Sequence, residues 1–492
     1  MSISERASPV NAVLWLLLAL CIARLWLMPL PSSFWVDEMG TVFVVHHGAA
    51  DPSLRAAPQV ADSIYYLLPK IAEKIGGFSE IGYRFFSVLA MAGALLAISA
   101  LASRLIGRGA GWFVAFACLA SRNFDYQAAD ARPYALGTLV LSLALLELVR
   151  WFDAGSWRDA LLFALCASLL WWVHLAFWPF YLIFPVYGIF RIRRKDHHAG
   201  ARQIGIVAAI VVLACIPPLM RSLTLLHGAG AHVVAPAPSL LELSSVLKLG
   251  MVLGACALGF ILSRWFRWSG AAIPASAFVL ILAWWLIDPV VIFGVSNLTR
   301  NSLFLARYMY PAIPGAALAA CLFAGLFIPA KVWKPVAAVL GVAALIFTGH
   351  WKQVWPDHQS SDWRAASAIL REWSGGERIP VISPSPFIEA RPPVWTPDYP
   401  LSGFLYSNLA VYPMAGHVYP FPFESSPEAV SFARELTGGT LAHGRRFALY
   451  GGDKAVKFWR GWFTSQPELA RWNSKVLAYY GDVELVAFTN PD

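Results

Sequence analysis

The sequence predicts a polytopic α-helical membrane protein of about eleven spans, followed by a C-terminal α/β domain outside the membrane. Three observations predict it. The chain of 492 residues is 58% hydrophobic and only 14% charged, where a soluble domain carries roughly a quarter charged residues. The apolar residues come in runs of about twenty, the length of a bilayer crossing. Beyond residue 350 the runs stop, and the chain turns polar and rich in Pro and aromatic residues.

The spans fall near residues 10–30, 81–101, 111–120, 133–149, 160–173, 176–190, 204–220, 244–262, 271–287, 308–327 and 335–350. The third is short. The first is too long for a signal peptide's apolar region and is followed by no small-residue cleavage site, so it reads as a retained span. With the N-terminus inside, the inner loops are "SRLIGRGAG", "RWFDAGSWRD", "RIRRKDHHAGARQ", "SRWFRW" and "AKVWK". All are basic, as the positive-inside rule requires. The net charge of +9 is accounted for by these loops and does not point to nucleic acid. Cys21, Cys118, Cys166, Cys215, Cys256 and Cys321 all lie in apolar runs, none at metal-ligand spacing, and read as small core residues.

Three outer segments are long. In the first, 31–80, the residues Val60, Ile64, Leu67, Leu68, Ile71 and Ile75 recur at helical spacing, which predicts an amphipathic helix in the membrane interface, with Lys70 on it. The second, "SLTLLHGAGAHVVAPAPS", is a Gly-, Ala- and Pro-rich loop. The third is the tail. There "SDWRAASAILREW" reads as an amphipathic helix, and "RIPVISPS", "RRFALYGG" and "VELVAFTN" as strands. The tail has no Cys, so no disulfide staples it. The expected division is a membrane module over 1–350, with 31–80 as its first outer loop, and a periplasmic α/β domain over 351–492.

Charged residues gather on the outer side. Asp37 and Glu38 follow the first span in "PSSFWVDEMGT". The next outer loop, "SRNFDYQAADARPYAL", carries Arg122, Asp125, Asp130, Arg132 and Tyr134. His174 lies in the turn "WWVHLAFW", and Arg300, Arg307 and Tyr308 in "SNLTRNSLFLARYMYP". Acids at a membrane rim are often merely solvated, and a lone His is more often a satisfied polar group than a ligand. Here, however, ionisable groups from separate spans converge on one face, where they are costly unless paired or useful. Arginines at headgroup depth suit a phosphate, and a carboxylate beside them suits a general base. The combination fits a sugar donor carried on a lipid phosphate. Its leaving group is already a stable anion, so one carboxylate suffices, unlike the pair that ordinary glycoside hydrolysis needs. In-line attack by an acceptor hydroxyl inverts the anomeric centre.

"FWVDE" after the first span, "ARPYAL" opening the fourth, the His ending the fifth and "ARYMYP" opening a late span together resemble the glycosyltransferase-C (GT-C) superfamily, in the family 39-like branch of protein mannosyltransferases and bacterial aminoarabinose transferases. The resemblance covers about residues 10–350. It implies a GT-C fold, an inverting glycosyltransferase in the bacterial inner membrane and a polyprenyl-phosphate sugar donor, with a lipid, glycan or protein of the envelope as acceptor. It also implies that Asp37 activates the acceptor, that Glu38 assists, and that Asp130 is a second acid. Arg132 and Arg307 would hold the phosphate, with Arg122, Arg300 and Tyr308 as further donor contacts. His174, Asp125, Tyr134 and Lys70 are additional site candidates. "SRNFDYQAAD" has an Arg where the family has an apolar residue or Pro, which leaves Asp125 and Asp130 both open as the second acid. No cofactor is required, although Asp37 and Asp130 could hold Mg²⁺ or Mn²⁺. The rivals are a transporter or flippase, which would show mid-span acids or repeated halves, and an O-antigen-type ligase or polymerase.

Overall fold

The computed structural model describes residues 9–228, 236–299, 302–401, 403–414 and 416–491. The chain divides into two compact units. One comprises residues up to Leu30, Ser63–Leu68 and Ile81–Pro356; the other comprises Pro31–Asp62, Pro69–Glu80 and Asp357–Asp492.

The first unit is helical. Among the described residues nine helices are long and apolar enough to cross a membrane: Pro9–Leu27, Glu80–Leu105, Tyr134–Ala154, Leu175–Arg194, Ala201–Leu225, Leu249–Phe266, Ala275–Leu298, Ala306–Gly325 and Ala330–Thr348. Each coincides with an expected span, and the chain is a multi-pass membrane protein. The two other expected spans are shorter helices. Trp157–Val173 has 17 residues. Ala110–Leu119 has 10, a rise of about 15 Å, half of a bilayer core. It starts one residue before the expected edge, and Gly109 takes a left-handed φ of 90° just before it. The chain breaks at Ser121 and resumes as the helix Arg122–Ala128.

Small residues let these helices approach closely. A Cβ at Gly315 would lie 2.7 Å from the Trp285 backbone nitrogen, so the helices Ala306–Gly325 and Ala275–Leu298 meet backbone to backbone there. Cys21, Cys118 and Cys321 are buried, and all six cysteines are free thiols.

The second unit is built on a five-stranded sheet in the order β2-β1-β3-β5-β4. The strands are β1 (Pro380–Pro384), β2 (His417–Phe421), β3 (Arg446–Gly452), β4 (Asn473–Tyr480) and β5 (Val483–Thr489). β1 runs parallel to β2 and β3, and β5 pairs antiparallel with β3 and β4. Side chains alternate across a strand. Thus Phe447 meets Phe463 of the helix Asp453–Thr464 on one face, with ring centroids 5.5 Å apart. Tyr450 meets Trp363 of the helix Trp363–Ser374 on the other, also at 5.5 Å. Both faces are covered, which is why β3 and β5 are almost wholly buried.

Three of these strands match the expected ones. β2 and β4 are additional. β2 contains Pro420 and lies at a sheet edge, where Pro is tolerated. Most of the 31–80 segment groups with the C-terminal domain rather than with the membrane module. The cause is a set of hydrogen bonds to the tail: the Phe404 N–H donates to Ser53 Oγ at 2.9 Å, and Gln59 Nε2 to Glu389 Oε1 at 2.9 Å. The expected amphipathic helix begins at Leu67, not near Val60. Ser63 accepts from the Tyr65 N–H and opens a separate 3₁₀ turn over Ile64–Tyr66. Leu67, Ile71 and Ile75 of the helix are exposed, as an interface helix requires.

Candidate active site

The first unit brings one set of the expected residues together. Arg132 stands two residues before the helix Tyr134–Ala154, His174 caps the end of Trp157–Val173, and Arg307 and Tyr308 open Ala306–Gly325. The His174 ring lies 5.2 Å from Tyr134, 5.5 Å from Phe177 and 5.6 Å from Tyr308, centroid to centroid. The Arg307 guanidinium carbon is 5.8 Å from the centre of the Tyr308 ring, within reach of a cation–π contact. Burial, then the charges of Arg132 and Arg307, push the His174 pKa down to about 3 from its ordinary 6.5. Both guanidiniums therefore act on one imidazole. Its Nδ1 accepts from the Ala176 N–H at 3.1 Å, starting the 3₁₀ segment Leu175–Leu182.

The frame behind this cluster is close-packed. A Cβ at Gly137 would fall 1.8 Å from the Phe177 ring, so only Gly lets Phe177 seat beside His174. Trp284 Nε1 donates to the Pro311 carbonyl at 2.9 Å and fixes the turn behind Arg307. Ser63 Oγ donates to the Val173 carbonyl at 2.6 Å, at the residue before His174.

Asp130 is buried in the turn before Arg132, and Asp125 is buried on the helix Arg122–Ala128. Asp125 Oδ1 accepts from Trp26 Nε1 at 2.9 Å. That bond ties Asp125 to the end of the first span. Arg122 is exposed. Arg300 lies outside the described residues. Arg84 is fully buried and donates to the Leu30 carbonyl at 2.8 Å, fixing the end of the first span.

The second unit holds the acid pair. The helix Val36–His47 starts at Trp35, which is extended. Asp37 and Glu38 lie in its first turn and His46 and His47 in its last, matching the helix dipole at both ends. Glu38 is fully buried and its Oε2 accepts from the Trp35 N–H at 3.2 Å, closing the first turn. Asp37, one residue earlier, is half-buried. Glu38, at the third helical position, thus caps the helix start.

The loop ahead of this helix is held by the tail. The Phe34 N–H donates to Tyr412 Oη at 2.8 Å, and the Tyr412 hydroxyl donates to Glu80 Oε1 at 2.9 Å. Arg364 donates to Glu80 Oε1 at 3.0 Å and to the Pro31 carbonyl at 2.9 Å. The His358 N–H donates to Ser32 Oγ at 3.1 Å. Burial, then the Glu80 charge, raise the Tyr412 pKa, so the phenol stays protonated as a donor. None of these partners is near residues 31–38 in sequence, and no local pattern marks them.

Lys70 is exposed on the helix Leu67–Gly76. For a cation, Asp37 and Asp130 belong to different units. Within the second unit a Glu38 carboxylate oxygen and a His358 ring nitrogen lie within 4.8 Å of each other. Such an oxygen–nitrogen pair suits a transition ion better than Mg²⁺, which prefers oxygen ligands throughout.

No protein-family model matches the chain, and no curated protein sequence does. Solved structures do. The chain is similar to ArnT from Cupriavidus metallidurans bound to undecaprenyl phosphate, at 11% identity and a TM-score of 0.55 over 98% of both chains. ArnT in the apo state gives 12% identity and a TM-score of 0.56 over the same shares. Arabinofuranosyltransferase AftD from Mycobacteria gives 14% identity and a TM-score of 0.51, over 99% of this chain and 42% of AftD. The nine apolar helices, the C-terminal sheet and these likenesses establish that the chain has the GT-C fold.

Proposed function

We propose that the protein is an inverting membrane glycosyltransferase that moves a sugar from a polyprenyl-phosphate donor to an acceptor on the periplasmic side of the bacterial inner membrane. The observation that carries this reading is the cluster at His174, whose ring packs on Tyr134, two residues after Arg132, and on Tyr308, whose ring lies 5.8 Å from the Arg307 guanidinium carbon. Two guanidiniums around a neutral ring make an anion site at a membrane rim. The fold's likeness to a structure holding undecaprenyl phosphate supports a lipid phosphate as that anion.

In this reading Arg132 and Arg307, aided by Tyr308, bind the donor phosphate and stabilise it as it leaves. Asp37 takes the proton of the acceptor hydroxyl as its oxygen attacks the anomeric carbon. The glycosyl–phosphate bond breaks with its electron pair on the phosphate, which needs no protonation. Glu38 holds the helix that presents Asp37. The chemistry needs no cation, since guanidiniums neutralise the leaving group. Asp130 remains the proposed second acid, because Asp125 is committed to Trp26. The test is transfer from a synthetic polyprenyl-phosphate sugar to envelope extracts by the purified protein in nanodiscs. Transfer with inversion supports the proposal. Binding without transfer in any extract, together with movement of the intact donor across the bilayer of sealed proteoliposomes, would favour a flippase instead.

A further inference from the structure

We infer that His174 is a neutral hydrogen-bond donor to the donor phosphate, through Nε2–H, and so completes the site of Arg132 and Arg307. This rests on the reading of that site as a phosphate site. The argument begins with the tautomer. Nδ1 accepts from the Ala176 N–H at 3.1 Å, so Nδ1 carries no proton. A neutral imidazole holds its one proton on the other nitrogen. Nε2 is therefore a donor, and among the described residues no partner of it is found.

The surroundings aim this donor and keep it neutral. Tyr134, Phe177 and Tyr308 pack around the ring at 5.2, 5.5 and 5.6 Å. Arg132 and Arg307 are the charged groups acting on it, and both oppose a third positive charge. A neutral donor suits a group that must bind a phosphate ester and then release the free lipid phosphate. It adds a directed hydrogen bond without adding charge to hold the product.

Two substitutions separate this role from that of a turn former. His174→Gln places an amide N–H near the position of Nε2 and gives up the bond to Ala176. His174→Asn keeps an oxygen near the position of Nδ1, so it retains that bond and loses the donor. Binding of undecaprenyl phosphate to the full-length protein in nanodiscs is the measurement, with Arg307→Ala alongside. The inference expects His174→Gln within about threefold of wild type and His174→Asn weaker by roughly ten- to a hundredfold, the worth of a hydrogen bond to a charged group. The reverse order, with Asn near wild type and Gln weak, overturns it and leaves His174 as a cap. Equal binding by both variants and wild type also overturns it. If Arg307→Ala alone weakens binding, the phosphate site stands without His174. If wild type and Arg307→Ala bind alike, the phosphate reading fails, and this inference with it.

Discussion

The two units hold their candidate functional residues by different means. In the helical unit, Arg132, His174 and Arg307 sit at the ends of helices, where the turn itself sets the side chain. One bond is local, Ala176 N–H to His174 Nδ1, and two come from other segments of the same unit, Trp284 to the Pro311 carbonyl and Ser63 to the Val173 carbonyl. In the sheet-based unit, Asp37 follows a loop held by residues more than 300 positions later, through Tyr412, Arg364 and His358. The comparison teaches that helix ends can be read from a local pattern, whereas a loop clamped by a distant domain cannot. The proposed roles fall on different residues, donor binding on Arg132 and Arg307 and proton abstraction on Asp37.

The largest expected effect is on chemistry alone. Asp37→Asn should lower transfer by about 10²- to 10⁴-fold, the usual worth of a general base, with undecaprenyl phosphate binding unchanged. Next is Arg307→Ala, which should weaken donor binding roughly ten- to a hundredfold. Arg307→Lys should lose less, because an ammonium keeps the charge without the two-pronged geometry. Equal losses in Ala and Lys would make charge the whole contribution.

Gly137→Ala probes the frame of the first unit. The added carbon meets the Phe177 ring, and overpacking of this kind costs about 1–3 kcal/mol. Donor binding and thermal stability should fall together; unchanged binding would detach Phe177 from the site. Tyr412→Phe probes the second unit. It removes an acceptor for the Phe34 N–H and a donor to Glu80, worth about 1–3 kcal/mol when a buried group loses its partner. Turnover should fall several-fold while donor affinity holds. A fall in affinity instead would break the division of roles.

The smallest effect is pH-dependent. His174 titrates near 6.5 when unfolded and is pushed down to about 3 in the folded chain, by burial and by Arg132 and Arg307. Below pH 6.5 the unfolded state binds a proton that the folded state refuses, so stability falls as pH drops from 7.5 to 5. His174→Gln removes this contribution. Its melting temperature should fall less over that range than that of wild type, and an equal fall would show that His174 titrates normally.

Much of the fold was legible because a bilayer imposes a simple pattern. The apolar runs mark the nine long helices, and the "ARPYAL", "WWVHLAFW" and "ARYMYP" turns mark the helix ends that meet at His174. What was not legible has both local and non-local causes. Pro420 hides β2, whose edge position tolerates it. The spacing from Val60 suggests one long helix, but the Ser63 hydroxyl starts a separate turn. Arg84 sits in an ordinary "YRFF" stretch and shows its role only through the Leu30 carbonyl. The adjacency of Asp37 and Glu38 was visible; that Glu38 closes the helix start required the structure.

The central claim is that binding and proton abstraction belong to different residues, Arg307 for the first and Asp37 for the second. One crossed measurement tests it: donor affinity and single-turnover transfer, on the same nanodisc preparations of wild type, Asp37→Asn and Arg307→Ala. The account predicts that Asp37→Asn binds undecaprenyl phosphate like wild type and transfers sugar about 10²- to 10⁴-fold more slowly, and that Arg307→Ala binds weakly but recovers part of its transfer at saturating donor. Normal transfer by Asp37→Asn, or normal donor affinity in Arg307→Ala, would contradict it.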